Sequence, residues 1–347
     1  MDVNLNVPAL EKLLDYAASG IGSVAGPMLA SWRARREAEA KRIAAEGDVT
    51  AENILAEGQS SALQTIANAQ ADARARLTSS NTAVRGELTI AETVSQRIQF
   101  QEEKRQGNIG AVVRQAAAEL GGRDVPDREP DHDWTARFFN EIQDVSSGEM
   151  QTLWAKVLAG EVERPGSTSI KTLSILKNLD LVTATLFKTL CSACVSIKLD
   201  ENQFIDARVP SLGRNAASNG LREYGLDFGN LNLLNEHGLI ISDYNSWFDC
   251  RACIGVFSEG AKPKILRYPF SFQGRYWVLI PTAKRTVNRE FKLSGVALTC
   301  SGQELSVIVG LEPMDKYSQA LMEYFKANHL QMTEVASGQP MVIDSSP

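Results

Sequence analysis

Cations and aromatic rings alternate along one stretch of the chain, residues 261–292, which reads AKPKILRYPFSFQGRYWVLIPTAKRTVNREFK. This ribbon holds eight lysines and arginines against the single acid Glu290, although the whole chain of 347 residues has a net charge of −6. Because cations bind phosphates and rings stack on bases, the pattern suits a nucleotide or a short single-stranded DNA. The predicted ligand-binding residues are the cations and rings of its middle: Arg267, Tyr268, Arg275, Tyr276, Trp277, Lys284 and Arg285.

The ribbon also fits a two-faced hairpin whose rings fill a core and whose cations are solvated. Neighbouring residues of a strand face opposite ways. We therefore expect at most one of Tyr276 and Trp277 to contact a base, while the other enters the core. The negative charge of the rest of the chain excludes a nucleic-acid binder that is basic overall.

Two C-x-x-C pairs, Cys191 with Cys194 and Cys250 with Cys253, account for four of the five cysteines. Two such pairs can close a tetrahedral zinc site. The intervening 55 residues exceed the usual loop, and neither pair has the Gly or Pro of a metal knuckle. Structural zinc, buried thiols and a redox role therefore remain as alternatives.

Signatures of catalysis are absent from the sequence. It has three histidines, too few to favour a histidine-built relay, and no Walker loop, G-x-S-x-G or H-E-x-x-H motif. The cysteine content fits a reducing cytoplasm better than a disulfide scaffold. We predict a protein that is not an enzyme, with zinc as the single cofactor that its residues suggest.

The first 36 residues form a glycine-rich amphipathic segment, predicted to act on a membrane or in oligomerisation. No charge occurs from Tyr16 to Trp32, a run of 17 residues that as a helix spans roughly 25 Å, the short end for a bilayer. The predicted membrane or pore residues lie along this run: Tyr16, Gly20, Ile21, Gly22, Val24, Gly26, Met28 and Trp32. The alternative is a helix buried at an oligomer interface.

Residues 37–120 have the Ala, Glu, Gln and Arg content of long helices, with few apolar anchors. Turn residues near 78–81 predict two antiparallel helices, a coiled-coil stalk for homo-oligomerisation. Residues 121–132 combine Gly, Pro and acids and are predicted to be a linker to a C-terminal domain, residues 133–347.

The C-terminal domain begins with predicted helices. Two helical patterns occur within residues 133–161, and helices are predicted over 168–178 and 180–197. Further on, a helix ends at Gly238, a β-run and the ribbon follow, and Thr299 is placed to cap another helix. This order is typical of winged-helix modules. We thus predict an α+β fold, predominantly α, with a winged-helix-like sensor and a β-ribbon.

Three segments resemble a bacterial family of uncharacterised function that is found beside phage-defence genes: Gly20–Arg36, RIQFQEEKRQGNIGAVV (Arg97–Val113) and the segment Asp133–Leu179. The chain also resembles the effector subunits of Hailong defence systems. That resemblance implies a membrane-acting channel effector, paired with a nucleotidyltransferase whose short deoxyadenylate oligomers hold it inactive until infection. It implies no catalytic motif, and it does not assign the ligand residues.

These observations together predict an oligomeric antiviral effector of the abortive-infection type. It is expected in the cytoplasm, moving to or anchored at the inner membrane, where membrane lipid becomes a partner on activation. A nucleotide or short oligodeoxynucleotide bound to the C-terminal domain would control the ion channel. The alternative is a soluble winged-helix regulator or scaffold that binds DNA or protein.

Overall fold

A computed structural model describes Leu13 and residues 90–121, 123, 125–126, 128–198, 204–254, 265–282, 290–339 and 341–343. The predicted membrane segment, apart from Leu13, and the stalk up to residue 89 lie outside these residues. Within the described residues there are eight α-helices: α1 Ile90–Leu120, α2 His132–Ile142, α3 Gly148–Glu163, α4 Ile170–Lys177, α5 Leu181–Ser192, α6 Phe228–Glu236, α7 Cys300–Ser306 and α8 Asp315–Ala327.

The two helical patterns predicted within residues 133–161 are confirmed as α2 and α3. Asp131 caps α2 by accepting hydrogen bonds from the backbone N–H groups of Asp133 and Trp134. The apolar faces of the two helices meet at Phe138 and Trp154, whose ring centroids lie 5.4 Å apart in an edge-to-face arrangement. Both rings are completely buried.

The long helix α1 has two different halves. Its second half packs against α3 and buries the apolar residues from Ile109 to Leu120. Its first half exposes Ile90, Val94 and Ile98, with Ile98 half exposed at 51%. Val94 and Ile98 precede the buried Val112 and Ala116 by 18 residues, about five helical turns, so the exposed stripe continues the buried face.

The predicted linker is a boundary between helices but not between packed units. Residues between Leu120 and His132 form no helix or strand where the structure describes them. On either side of them, however, α1 and α3 share one core. The end of the predicted stalk therefore belongs with the C-terminal residues.

The prediction of a helix over residues 180–197 is wrong at its C-terminal end. Helix α5 ends at Ser192, and Val195–Lys198 form the strand β1. In this short strand the buried Val195 and Ile197 alternate with the half-buried Ser196. Pairing with a neighbouring strand provides the hydrogen bonds that a further helical turn would otherwise supply.

The other strands within the described residues are β2 Phe204–Pro210, β3 Trp247–Asp249, β4 Ile265–Arg267, β5 Phe270–Phe272, β6 Arg275–Pro281, β7 Lys292–Ala297, β8 Leu330–Val335 and β9 Met341–Ile343. Together with β1, six of these strands form one seven-stranded sheet in the order β3-β7-β2-β1-β5-β6-β8, and β4 pairs with β9. Neighbouring strands are antiparallel. The coarse α+β prediction is confirmed.

Helix α8 covers one face of the sheet. Its Tyr317 and Phe325 lie beside Phe272 and Phe270 of β5, with ring centroids 6.2 Å apart in each pair. The Tyr317 hydroxyl donates to the carbonyl oxygen of Pro210 at 2.7 Å. The ribbon's phenylalanines therefore fill the core, as the hairpin alternative required.

The region predicted to be a winged helix has the expected junction between a strand and a helix at Thr299. Its strands, however, belong to a sheet that is larger than the small sheet of a winged helix. Thr299 caps α7, accepting from the N–H of Gly302 at 3.1 Å, and Ile240 forms an isolated bridge with Leu298. The ribbon's strands β5 and β6 pair as a hairpin, but this hairpin lies inside the seven-stranded sheet, between β1 and β8, and is not a separate two-stranded wing.

Candidate anion-binding cleft

A cleft of about 500 Å³ opens between the ends of helices α1 and α3 and the face of the sheet opposite α8. This volume is within the range of roughly 300–1,000 Å³ that small-molecule sites occupy. The lining residues come from five parts of the chain: Arg123, Glu163, Arg164, Ser196, Lys198, Pro269, Ser271, Tyr276, Ala336, Ser337, Gly338 and Gln339. Within the described part of the chain, three cations line the cleft against one carboxylate.

The sheet contributes a row of three residues to the cleft. Ser196 of β1 pairs with Ser271 of β5, which in turn pairs with Tyr276 of β6. The two serine oxygens lie 2.7 Å apart, within hydrogen-bond distance. Since residues paired across a sheet share a face, the row presents hydroxyl groups and a ring to the same space.

Tyr276 is held from one side by the segment that follows β8. A Cβ atom at Gly338 would lie 2.4 Å from Cε1 of the tyrosine, closer than real contacts allow. The absence of a side chain at position 338 therefore lets the backbone press against the ring. The ring keeps 42% of its surface exposed.

The helices contribute the charged side of the cleft. Arg123 follows the end of α1, and its Nη1 donates to Oε2 of Glu163, the last residue of α3, at 3.0 Å. Arg164 comes next, and its backbone N–H closes α3 by donating to the carbonyl oxygen of Gly160 at 2.9 Å. Lys198 lies two residues after Ser196 on β1, with Nζ 4.6 Å from the centroid of the Phe204 ring.

A buried carboxylate positions the turn that follows Arg164. Glu161 accepts hydrogen bonds from the backbone N–H groups of Gly166 at 2.5 Å and Thr168 at 2.9 Å. Gly166 has a φ of +89°, which favours glycine. Burial raises the pKa of Glu161 even though these hydrogen bonds lower it. The turn thus depends on a carboxyl group that water scarcely reaches.

One of the predicted ligand residues, Tyr276, lies in the cleft. Its neighbour Trp277 is buried and donates from Nε1 to the carbonyl oxygen of Phe272 at 3.2 Å, so strand alternation separates the pair as expected. Arg275 shares the face of Trp277, with its guanidinium carbon 4.9 Å from that ring and Nη1 3.1 Å from Glu334. Arg275 and Tyr276 therefore lie on opposite faces of β6, and Arg275 does not line the cleft with the tyrosine.

The remaining predicted ligand residues do not line the described cleft. Tyr268 is half-buried and packs against the core. Arg267 lies in β4 opposite Met341, with only its backbone described. Lys284 and Arg285 lie outside the described residues.

Sequence reasoning missed the polar residues of the cleft. Ser196 stands between the buried Val195 and Ile197, and Ser271 stands between two buried phenylalanines. A small polar residue between two apolar ones is the local sign of a strand with one wet face. The cations Arg123 and Arg164 carry no such sign, because only folding brings the helix ends to the sheet.

The paired cysteines are buried rather than arranged as a metal centre. All four are free thiols, and no group of three or more His, Cys, Asp or Glu among the described residues is placed to hold a metal. Burial raises the pKa of Cys191, Cys194 and Cys250, which keeps these thiols protonated near neutral pH. The structure thus favours the buried-thiol alternative over the zinc site predicted at Cys191, Cys194, Cys250 and Cys253.

Thiol accessibility gives a direct check. In the native protein near pH 7.5 we expect a maleimide to label Cys300, the exposed one of the five, and the others only after unfolding, because the thiolate is the reactive form. Mass spectrometry of native and denatured samples counts the labels. Rapid native labelling of either C-x-x-C pair, or about one zinc per chain in elemental analysis, would contradict the assignment.

The predicted pore residues Tyr16, Gly20, Ile21, Gly22, Val24, Gly26, Met28 and Trp32 lie outside the described residues. Every helix in the described residues is either too short or too polar to span a bilayer.

No curated protein and no solved structure matches this chain. One family does match, over residues 92–322, a range that runs from near the start of α1 into α8 and includes most of the cleft. The match covers well over half of the sequence. The chain therefore belongs to the family described as "Protein of unknown function (DUF2806)".

Proposed function

We propose that the C-terminal region is a sensor for a short anionic oligonucleotide, which binds in the cleft and controls the action of residues 1–36 on a membrane. The observation that carries this proposal is the cleft itself, where three cations and an exposed tyrosine ring surround a nucleotide-sized space. The protein acts by binding and not by catalysis.

The chemistry of the cleft suits phosphates and a base at the same time. Guanidinium and ammonium groups attract the phosphates, and the ring of Tyr276 offers a stacking surface. The hydroxyl groups of Ser196 and Ser271 can donate to phosphate or to base edges. A deoxyadenylate oligomer is the ligand class that the family resemblance implies. It has phosphates for the cations, bases that can stack on the tyrosine ring, and base edges that can accept hydrogen bonds from the serines.

The membrane half of the proposal is supported by the sequence. The charge-free run from Tyr16 to Trp32 is bracketed by aromatic residues. An assembly is needed to build a pore from one short segment per chain. The exposed stripe of Ile90, Val94 and Ile98 gives a second copy of the chain an apolar helical face on which to pack.

The position of the cleft suggests how the two halves communicate. Arg123 and Arg164 follow α1 and α3, whereas Lys198 and Tyr276 belong to the sheet. A ligand that contacts both sides would favour the arrangement in which they are close, and α1 leads back toward the N-terminal residues. The ligand thus shifts the population between membrane-inactive and membrane-active arrangements.

Liposome leakage tests the proposal. We expect purified protein to release dye from anionic vesicles, and a short deoxyadenylate oligomer to suppress the release. Ile21→Lys or Val24→Asp should abolish leakage, since a charge at the centre of an inserted helix costs about 2.5–3.5 kcal/mol. Size-exclusion chromatography should show an unchanged oligomer.

Two outcomes would count against the proposal. Loss of the oligomer in either variant would favour the buried-interface alternative for the first helix. A protein that leaves vesicles intact but binds duplex DNA with sequence preference would favour a regulator of the winged-helix class.

A further inference from the structure

One acid, Glu163, stands among the cations in the described lining of the cleft, and it is already engaged. Glu163 accepts from Nη1 of Arg123 at 3.0 Å, and the two side chains are 30% and 54% exposed. Among the residues that the structure describes, no other carboxylate lines the cleft. A site that attracts anions thus keeps a negative charge of its own beside one of its arginines.

The ion pair joins the ends of two helices. The backbone N–H of Arg123 donates to the carbonyl oxygen of Leu120 at 2.9 Å, which ties the arginine to the last turn of α1. Glu163 is the last residue of α3, directly before Arg164. The pair therefore stands where an arriving phosphate would meet the helical side of the cleft.

A carboxylate and a phosphate use a guanidinium in the same way, through parallel N–H donors. Both partners of this pair are reached by water, so their attraction is screened. A multiply charged ligand can replace a single screened carboxylate, because its other phosphates can bind Arg164 and Lys198 at the same time.

From this geometry we infer that Glu163 is an internal counter-ion: it occupies Arg123 in the ligand-free protein and is displaced when an anionic oligomer binds. The inference rests on the proposed ligand function of the cleft and adds its regulation. Glu163 lowers the affinity of the site and makes binding depend on a ligand with several phosphates.

The experiment compares two substitutions that remove one negative charge each. Glu163→Gln removes the acid from the cleft, and Glu334→Gln removes the acid that pairs with Arg275 on the other face of β6. Fluorescence anisotropy with a labelled short deoxyadenylate oligomer measures affinity. We expect Glu163→Gln to bind about three- to tenfold more tightly than the wild type, and Glu334→Gln to bind like the wild type.

A double-mutant cycle separates competition for Arg123 from a general change in charge. In an Arg123→Gln background, the further change Glu163→Gln should improve binding by less than about twofold, since the contested arginine is gone. An equal improvement in both backgrounds would overturn the counter-ion role. Melting temperatures of all variants show whether the fold is kept.

The two ideas fail in different ways. If the wild type binds through Lys198 and Tyr276 but Glu163→Gln and Glu334→Gln share its affinity, the counter-ion inference falls and the sensor proposal stands. If neither the wild type nor Glu163→Gln binds the oligomer, both fall.

Discussion

Replacing Lys198 by Glu and Tyr276 by Ala in one variant is expected to weaken the binding of a short deoxyadenylate oligomer on the order of 100-fold, about 2.7 kcal/mol. Removal of the ring accounts for about 1–3 kcal/mol, the usual contribution of one stacked base. The reversed charge removes a phosphate partner and adds repulsion. Both side chains line the cleft, Lys198 from β1 and Tyr276 from β6, with β5 between these strands.

The salt dependence of binding gives a second measurement on the same variants. Each cation that no longer neutralises a phosphate of a single-stranded ligand should flatten the slope of log affinity against log salt by about 0.7. Lys198→Glu should therefore change the slope, whereas Tyr276→Ala should lower affinity with the slope unchanged.

Arg275→Glu is the matched control for this prediction. Arg275 neighbours Tyr276 in sequence, yet it lies over Trp277 on the opposite face of β6. We expect the affinity of this variant for the oligomer to stay within about twofold of the wild type, because the changed charge is exposed on the face of β6 that points away from the cleft. Loss of binding in Arg275→Glu, with Lys198→Glu and Tyr276→Ala unaffected, would move the ligand to the other face of the ribbon.

Gly295→Ala is expected to destabilise the fold by about 3 kcal/mol or more, because it overpacks the centre of the sheet. A Cβ atom there would lie very close to the carbonyl oxygen of Val209 in β2, at 2.1 Å. Gly295 also donates from its N–H to the carbonyl oxygen of Ser246 at 2.9 Å. The strands β2 and β7 would have to separate, and their hydrogen bonds would weaken.

Thermal unfolding followed by circular dichroism measures this effect. For a chain of this size we expect a fall of about 4 °C or more in melting temperature. Gly310→Ala serves as the control, because a Cβ atom at Gly310 would meet nothing within 4 Å. Equal melting temperatures for the two variants would show that β2 and β7 are not packed as closely as described.

Local pattern was enough to predict several elements and the direction of some side chains. The apolar spacing around Trp134 and Trp154 predicted α2 and α3, since a helix exposes and buries its residues with a fixed period. Thr299 was recognised as a cap from its type and its place between a predicted strand and a predicted helix, and its hydroxyl oxygen does accept from the N–H of Gly302. The opposite directions of Tyr276 and Trp277 followed from the two-residue period of a strand.

The identity of strand neighbours depended on the whole chain. Residues 193–197 were predicted to continue α5, but Ser196 pairs with Ser271, a residue 75 positions away. The ribbon's hairpin of β5 and β6 is flanked by β1 and β8 in the sheet, so it does not stand apart as a wing. A short run of alternating residues fits helix or strand until a partner is present to pair with it.

The candidate site, too, was predictable from the sequence only in part. The sequence by itself determined that cations and rings would be concentrated in residues 261–292, and that one ring of the pair at 276 and 277 would face outward. Only the tertiary structure decided which cations share a cleft with that ring. Arg123, Arg164 and Lys198 line the same cleft as Tyr276 because α1 and α3 share a core and end beside the sheet, and Arg275 is turned away by strand alternation. Residue types and periods are local properties, whereas the meeting of helix ends with a sheet is set by the burial of the entire apolar surface, to which every element contributes.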